Sequence, residues 1–302
     1  MAIVYFDGEF VDESAARIPL STHALNYGTA AFEGLRSYAE GARSFVFRPR
    51  EHYERLLRNA EMLEMKVSQT AAEFTELTSE LLRRNRCRED RYIRPLIYKN
   101  STRIGAGLPA GETVAILTQE MPRGPIPRPP ARATWSKWRR TPAAACPAGA
   151  KITGLYVNSS MARADAIARG YDQPIMLTME GKVAEGYGAN LFAVFGNHVV
   201  TPALEADILP GITRDALLRD FRSHPGLTVS EAMIAPERLL EADEVFLCGT
   251  GMEILPIASI EGHPVGSGVC GPLTSKAINW YRELITGKSA HHHDWIVAVD
   301  CA

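Results

Sequence analysis

Nine consecutive residues, Pro122-Arg123-Gly124-Pro125-Ile126-Pro127-Arg128-Pro129-Pro130, contain five prolines. Each proline fixes φ and removes a backbone donor, so the stretch neither continues a helix nor pairs inside a sheet. It reads as a stiff, extended connector. A chain of 302 residues is long enough to bury two cores. The expected division is therefore a first domain over 1–121, a linker over 122–130 and a second domain over 131–302.

Before the connector, strands and helices alternate. Asp7-Gly8 between Ile3–Phe6 and Glu9–Val11 predicts a tight hairpin. Phe32–Tyr38 and Phe45–Phe47 are extended in character. Pro49 suits the first turn of a helix whose apolar residues Tyr53, Leu56, Leu57, Ala60 and Leu63 follow the helical period. Arg55 lies off that stripe and reads as a solvated charge. A second helix is expected over 71–85. In Tyr92-Ile93-Arg94-Pro95-Leu96-Ile97-Tyr98 the two-residue period places Tyr92, Arg94, Leu96 and Tyr98 on one face. Two readings of Arg94 stay open: an edge-strand arginine, which Pro95 favours, or a carboxylate-binding face.

After the connector, Ala148-Gly149-Ala150-Lys151-Ile152-Thr153-Gly154-Leu155-Tyr156 sets one lysine among small and apolar neighbours. A desolvated lysine, or one near another positive group, loses its proton more readily and attacks carbonyls to form Schiff bases. Lysines in such runs also snorkel their amine to water. Asn158-Ser159-Ser160 is placed to cap a helix that Gly170 ends. Segments from Ile175 to Phe195 suggest a mainly antiparallel meander. Leu209-Pro210-Gly211-Ile212-Thr213 opens a helix whose first N–H groups suit a phosphate. Gly249-Thr250-Gly251-Met252 follows a strand as a second anion-friendly turn. Ile254 stands where a dinucleotide fingerprint needs its third glycine, and no P-loop occurs. Pro272–Ile285 is a final helix, and His291-His292-His293 reads as part of a polar tail, not as a metal site.

Charge sharpens this picture. The net charge of −2 recruits neither nucleic acid nor an anionic membrane. Five scattered cysteines without a Cys-x-x-Cys pair suit a reduced compartment and no structural metal. Without a secretory or spanning segment, a cytoplasmic location and small-molecule partners are expected.

The order of segments then adds what no single one carries. Tyr27-Gly28, Phe32-Glu33-Gly34, Arg50–Leu56, Tyr92–Ile97, Lys151, Glu185-Gly186, Asn190-Leu191-Phe192, Leu209–Arg214 and Gly249-Thr250 together resemble the class IV, fold-type IV pyridoxal-phosphate aminotransferases. The branched-chain amino-acid aminotransferases match best, over nearly the whole chain. The resemblance implies a mixed α/β fold, with a small N-terminal α/β domain and a larger C-terminal pseudo-barrel domain whose cleft holds pyridoxal 5'-phosphate. It implies that Lys151 carries the cofactor as an internal aldimine and moves the Cα proton, and that Glu185 pairs with the pyridine nitrogen. Arg55, Ile212, Thr213 and Thr250 would bind the phosphate, and Tyr156 the ring oxygen. Tyr27, Phe32, Gly34, Tyr92, Arg94, Ile104, Ala106, Tyr156, Thr250 and Gly251 would form the substrate pocket. Arg94 would receive the second carboxylate of glutamate. The implied reaction moves an amino group from leucine, isoleucine or valine to 2-oxoglutarate, in at least a homodimer whose segments near Tyr27 and Ile104 complete the neighbour's site.

Thr153-Gly154-Leu155 replaces the Gly-Gly-Asn common there, and Tyr187 and Ala189 are also unusual. A D-amino-acid or (R)-selective amine transaminase of the same fold is the alternative, although Ile104-Gly105-Ala106 lacks the Arg-x-His pair typical of the D-specific enzymes. A non-catalytic module of this fold is a more remote one.

Overall fold

The computed structural model describes residues 2–147, 149–289 and 291–301; Ala148, which opens the lysine stretch, lies outside them. These residues fall into two compact units. The first comprises 1–123, 151–155 and 282–302, and the second 124–150 and 156–281.

In chain order the strands of the first part are β1 (Ile3–Phe6), β2 (Glu9–Asp12), β3 (Ala30–Phe32), β4 (Leu35–Glu40), β5 (Arg43–Phe47), β6 (Arg91–Lys99) and β7 (Glu112–Glu120). Those that follow are β8 (Ala131–Trp135), β9 (Gln173–Leu177), β10 (Val183–Gly186), β11 (Asn190–Phe195), β12 (His198–Pro202), β13 (Thr228–Ala232), β14 (Glu244–Gly249), β15 (Glu253–Ile260), β16 (His263–Pro264) and β17 (Ile296–Asp300). The helices are α1 (His23–Tyr27), α2 (Pro49–Glu61), α3 (Ala71–Arg84), α4 (Tyr156–Ala168), α5 (Ile212–Ser223), α6 (Pro236–Leu240) and α7 (Pro272–Ile285).

The first unit is one sheet in the order β17-β5-β4-β6-β7-β1-β2, with β3 joined to β6. Asp7 and Gly8 both take positive φ, which the expected two-residue hairpin requires. Pro49 sits in the first turn of α2, and a capping box between Thr70 and Glu73 starts α3. The apolar faces of both helices bury Tyr53, Leu56, Phe74 and Leu81 against Leu35, Ile93, Ile97 and Ile116 of the sheet.

Strand β6 is central, contrary to the edge position that Pro95 favoured. It pairs along its whole length with β7, while β3 and β4 share its other side. Pro95 lies opposite the break between them, at Glu33-Gly34, where a missing N–H costs no rung on that side. The C-terminal tail also differs from expectation. His292 stacks on the buried Trp295, and β17 then pairs with β5 from Ile296↔Phe47 to Asp300↔Arg43. Residues 282–302 therefore join the first unit rather than the domain expected over 131–302. Burial of Trp295 and a sheet edge outweigh the polar sequence.

The second unit is a mixed sheet in the order β10-β9-β8-β15-β14-β11-β12-β13, with β16 beside β15. Three of its pairings are parallel, β8 with β9, β8 with β15 and β12 with β13, while in the stretch expected as a meander β9 with β10 and β11 with β12 pair antiparallel. Its core packs Ile175, Val183, Leu191, Val245, Leu247 and Ile257. Helix α4 starts at Tyr156, after a 3-10 turn over Thr153–Leu155, so Asn158–Ser160 lie inside it instead of capping it. Gly170, at positive φ, ends it as expected. Among the described residues, no helix is long and apolar enough to cross a membrane.

Candidate active site

In the first unit Lys151 is held by its backbone. Its carbonyl accepts from the Phe32 N–H at 3.0 Å, and Ile152 forms an antiparallel bridge with Ala31. The lysine thus continues the sheet at β3 for two residues. Its half-buried side chain places Nζ 4.7 Å from the centroid of the Phe32 ring. Thr153, one of the unusual residues, donates its hydroxyl to the Gly28 carbonyl at 2.8 Å, and the Gly154 N–H donates to the same oxygen at 3.0 Å. A Cβ on Gly28 would meet Gly154 Cα at 2.6 Å, so two glycine backbones touch and anchor the lysine segment beside Tyr27.

Arg55 is buried, not solvated. Its Nε and Nη2 donate to the two carboxylate oxygens of Glu33 at 2.5 and 3.0 Å, a bidentate fork. Glu33 is itself fully buried between β3 and β4. It also accepts from His52 Nδ1 at 2.7 Å and from the Gly34 N–H at 3.1 Å. Burial raises the Glu33 pKa, but Arg55 and then His52 outweigh it and hold the carboxyl well below the usual range. Burial pushes the His52 pKa down, Glu33 pulls it up, and Arg55 and Lys151 push it down again, leaving it below its ordinary value. A carboxylate only accepts, so the neutral ring carries its proton on Nδ1. Its Nε2 is buried with no hydrogen-bond partner among the described residues.

Arg94 stands on β6 with Tyr92, on the face the alternation predicted. Its Nη2 donates to the Tyr92 hydroxyl at 2.7 Å, and its guanidinium carbon lies 4.5 Å from the Phe32 centroid. Arg94 and Lys151 therefore both lie against one aromatic ring. Arg94 has no ion pair with a carboxylate among the described residues, and its Nε is buried without a partner. A Cβ on Gly34 would overlap the Tyr92 hydroxyl, so the glycine leaves that side chain the room it occupies.

Tyr27, at the end of helix α1, and Ile104 and Ala106, on an exposed loop, form a separate group. The Tyr27 hydroxyl accepts from the Gly105 N–H at 3.0 Å, and His23 Nε2 donates to the Gly105 carbonyl at 2.9 Å. Helix α1 thus grips both backbone groups of Gly105, while Ile104 remains 66% exposed.

In the second unit Glu185 is buried at the end of β10. Its Oε2 accepts from Asn190 Nδ2 at 2.9 Å and from the Leu209 N–H at 3.2 Å, while Arg140 Nε lies 3.1 Å from Oε1. Asn190 also donates to the Leu209 carbonyl at 2.8 Å. One amide therefore ties Glu185 to the turn that starts α5. There Gly211, the cap residue, supplies no side-chain acceptor, and the Thr213 hydroxyl is buried without a partner among the described residues. An orphaned hydroxyl at a helix start fits a phosphate ester, so the residues present suit the implied cofactor. Tyr156 begins α4, half-buried; Thr250 is half-buried and Gly251 exposed in the turn after β14.

Three contributors escaped the sequence reading. Arg140 belongs to none of the segments singled out above, yet it faces a buried acid. Glu33 and His52 were noted only as parts of matching segments. Helical spacing of His52 and Arg55, three residues apart, was the available signal.

Residues 30–260 match the family model described as amino-transferase class IV. The branched-chain-amino-acid aminotransferase of Escherichia coli K12 is 35% identical over 302 residues, covering 98% of this chain and 97% of that protein. A crystal structure of branched-chain aminotransferase from Thermoproteus uzoniensis with norvaline superposes with a TM-score of 0.93 at 39% identity, covering 98% and 99% of the two chains. The T.th. branched-chain amino acid aminotransferase complexed with N-(5'-phosphopyridoxyl)-L-glutamate gives 0.93 at 33% identity, covering 98% of each. Matches this long, at this identity and in this fold, have one reading: the chain belongs to the class IV aminotransferases, among the branched-chain amino-acid aminotransferases.

Proposed function

We propose that the chain transfers the amino group of L-leucine, L-isoleucine or L-valine to 2-oxoglutarate with pyridoxal 5'-phosphate as cofactor. The observation that carries this reading is the Phe32 ring, against which an amine, Lys151, and an arginine with no carboxylate partner among the described residues, Arg94, both lie. An apolar wall suits branched side chains, and one cation beside it suits the second carboxylate of glutamate. When bound, the cofactor supplies a carbonyl for the amino group and a ring that withdraws electrons from Cα. Lys151 provides the covalent attachment and, once displaced, accepts and returns the Cα proton at Nζ. Glu185, held by Asn190, Leu209 and Arg140, is the partner of the pyridine N–H. Arg55, the Ile212 and Thr213 start of α5 and Thr250 bind the phosphate, and Tyr156 the ring oxygen. Phe32, Gly34, Tyr92, Tyr156, Thr250 and Gly251 shape the substrate pocket.

The working form is a homo-oligomer, at least a dimer, in the cytoplasm. Leu20, Leu25, Tyr27, Ile104 and Leu108 expose apolar surface on the first unit, which a second copy would cover, with Tyr27, Ile104 and Ala106 completing its pocket. Assays with L-leucine, D-alanine and (R)-1-phenylethylamine as separate donors test the reaction; dominant turnover of either of the last two overturns it. Borohydride reduction followed by peptide mapping tests the lysine, and label on any residue but Lys151 refutes its role. Light scattering that reports a monomer refutes the shared site.

A further inference from the structure

We propose that Glu33 and His52 are positioning residues that aim Arg55 at the cofactor phosphate. This rests on the functional reading above. Arg55 is a planar fork, and its Nε–Nη2 edge is fixed on Glu33. The orientation of its Nη1 end is thereby set by the carboxylate, whatever freedom the side chain would otherwise have. Glu33 is itself braced from three directions. His52 Nδ1 and the Gly34 N–H donate to its Oε2, and its own N–H donates to the Pro95 carbonyl at 3.0 Å. Its neighbour Phe32 pairs with the Lys151 carbonyl. One short piece of backbone thus fixes both the lysine and the acid that aims the arginine.

His52 gives the reason to read this as more than packing. It spends one nitrogen on Glu33 and leaves the other buried without a partner among the described residues. An apolar residue would avoid that orphan at a purely structural position. What His52 adds is a donor at Nδ1 that holds the Glu33 carboxylate in the plane Arg55 needs.

The test separates the phosphate from the rest of the cofactor. The full-length protein is resolved of cofactor, and dissociation constants are measured for pyridoxal 5'-phosphate and for pyridoxal, which lacks the phosphate. Their ratio reports what the phosphate contributes, and general loss of folding moves both constants together. His52→Leu removes the Nδ1 donor and should lower the ratio roughly tenfold or more, the worth of one hydrogen bond to a charged group. His52→Asn, whose amide N–H stands near the same place, should restore most of it. Glu33→Gln should lower it at least as far as His52→Leu; should that variant not fold, the two His52 variants decide. An unchanged ratio in His52→Leu, or an equal fall in His52→Asn and His52→Leu, overturns the proposal. Failure of the unaltered protein to bind pyridoxal 5'-phosphate overturns the functional reading itself.

Discussion

Arg55 and Arg94 belong to the same unit and approach the Phe32–Gly34 segment from different elements, yet their environments are opposite. Arg55 comes from α2 and is clamped by a fully buried carboxylate on two of its nitrogens. Arg94 comes from β6, has no carboxylate partner among the described residues, and is steadied by a tyrosine hydroxyl and an aromatic face. An arginine whose charge is already matched serves as a rigid fork, its direction fixed in advance. One held only by neutral groups retains charge for an incoming anion. The same side chain thus does two jobs, and the difference lies in whether an acid was built beside it.

The hardest blow to this contrast is Glu33→Ala. It strands Arg55 in the interior beside His52, and urea unfolding should show a loss of about 3–5 kcal/mol, the usual result of removing one partner of a buried pair. A loss below about 1 kcal/mol would mean that the fork is solvated in solution. Arg94→Ala should leave the fold largely intact while cutting kcat/KM for 2-oxoglutarate by roughly 10- to 100-fold, with much less effect on the leucine half-reaction. Equal losses in both half-reactions would make Arg94 structural. Gly34→Ala forces the Tyr92 hydroxyl away from Arg94, at a cost of about 1–3 kcal/mol for overpacking. Single-turnover kinetics should show the 2-oxoglutarate step suffering more than the leucine step; the reverse order would break the link between Tyr92 and Arg94.

A gentler test uses pH. The His52 pKa in the folded protein lies below its ordinary value of 6.5. Just below that pH the unfolded chain therefore binds more protons than the native one, and stability falls as pH falls. Its contribution is complete above about 6.5 and declines by at most about 1.4 kcal/mol per pH unit below it. Unfolding curves at pH 7.5 and 5.5 should diverge less for His52→Asn than for the unaltered chain. Equal divergence would place the pH dependence elsewhere. The smallest effect is expected from Thr153→Val, which removes one of the two hydrogen bonds onto Gly28 and should lower stability by about 0.5–1.5 kcal/mol, read as a shift in Tm.

Much of the fold was legible because the signals were local. Asp7-Gly8 specified a hairpin, Pro49 a helix start and the alternation along Tyr92–Tyr98 a shared face, and each depends on neighbours a few residues away. Pro95 misled for the same reason. Its preference for an edge is a local rule, but the break between β3 and β4 that accommodates it comes from residues far earlier in the chain. The tail misled similarly, since its histidines gave no sign that Trp295 would be buried and β17 would extend a distant sheet.

For the site, the chain by itself determined the family, the lysine and the order of the groups around it, because a succession of short segments is a one-dimensional property. It also determined that Arg94 shares a face with Tyr92. Only the tertiary structure decided which arginine is already paired. Arg55 looked solvated on its helix, and 22 positions separate it from Glu33. Burial and charge pairing are set by what the fold packs against a residue, and no spacing along α2 encodes the acid waiting between β3 and β4.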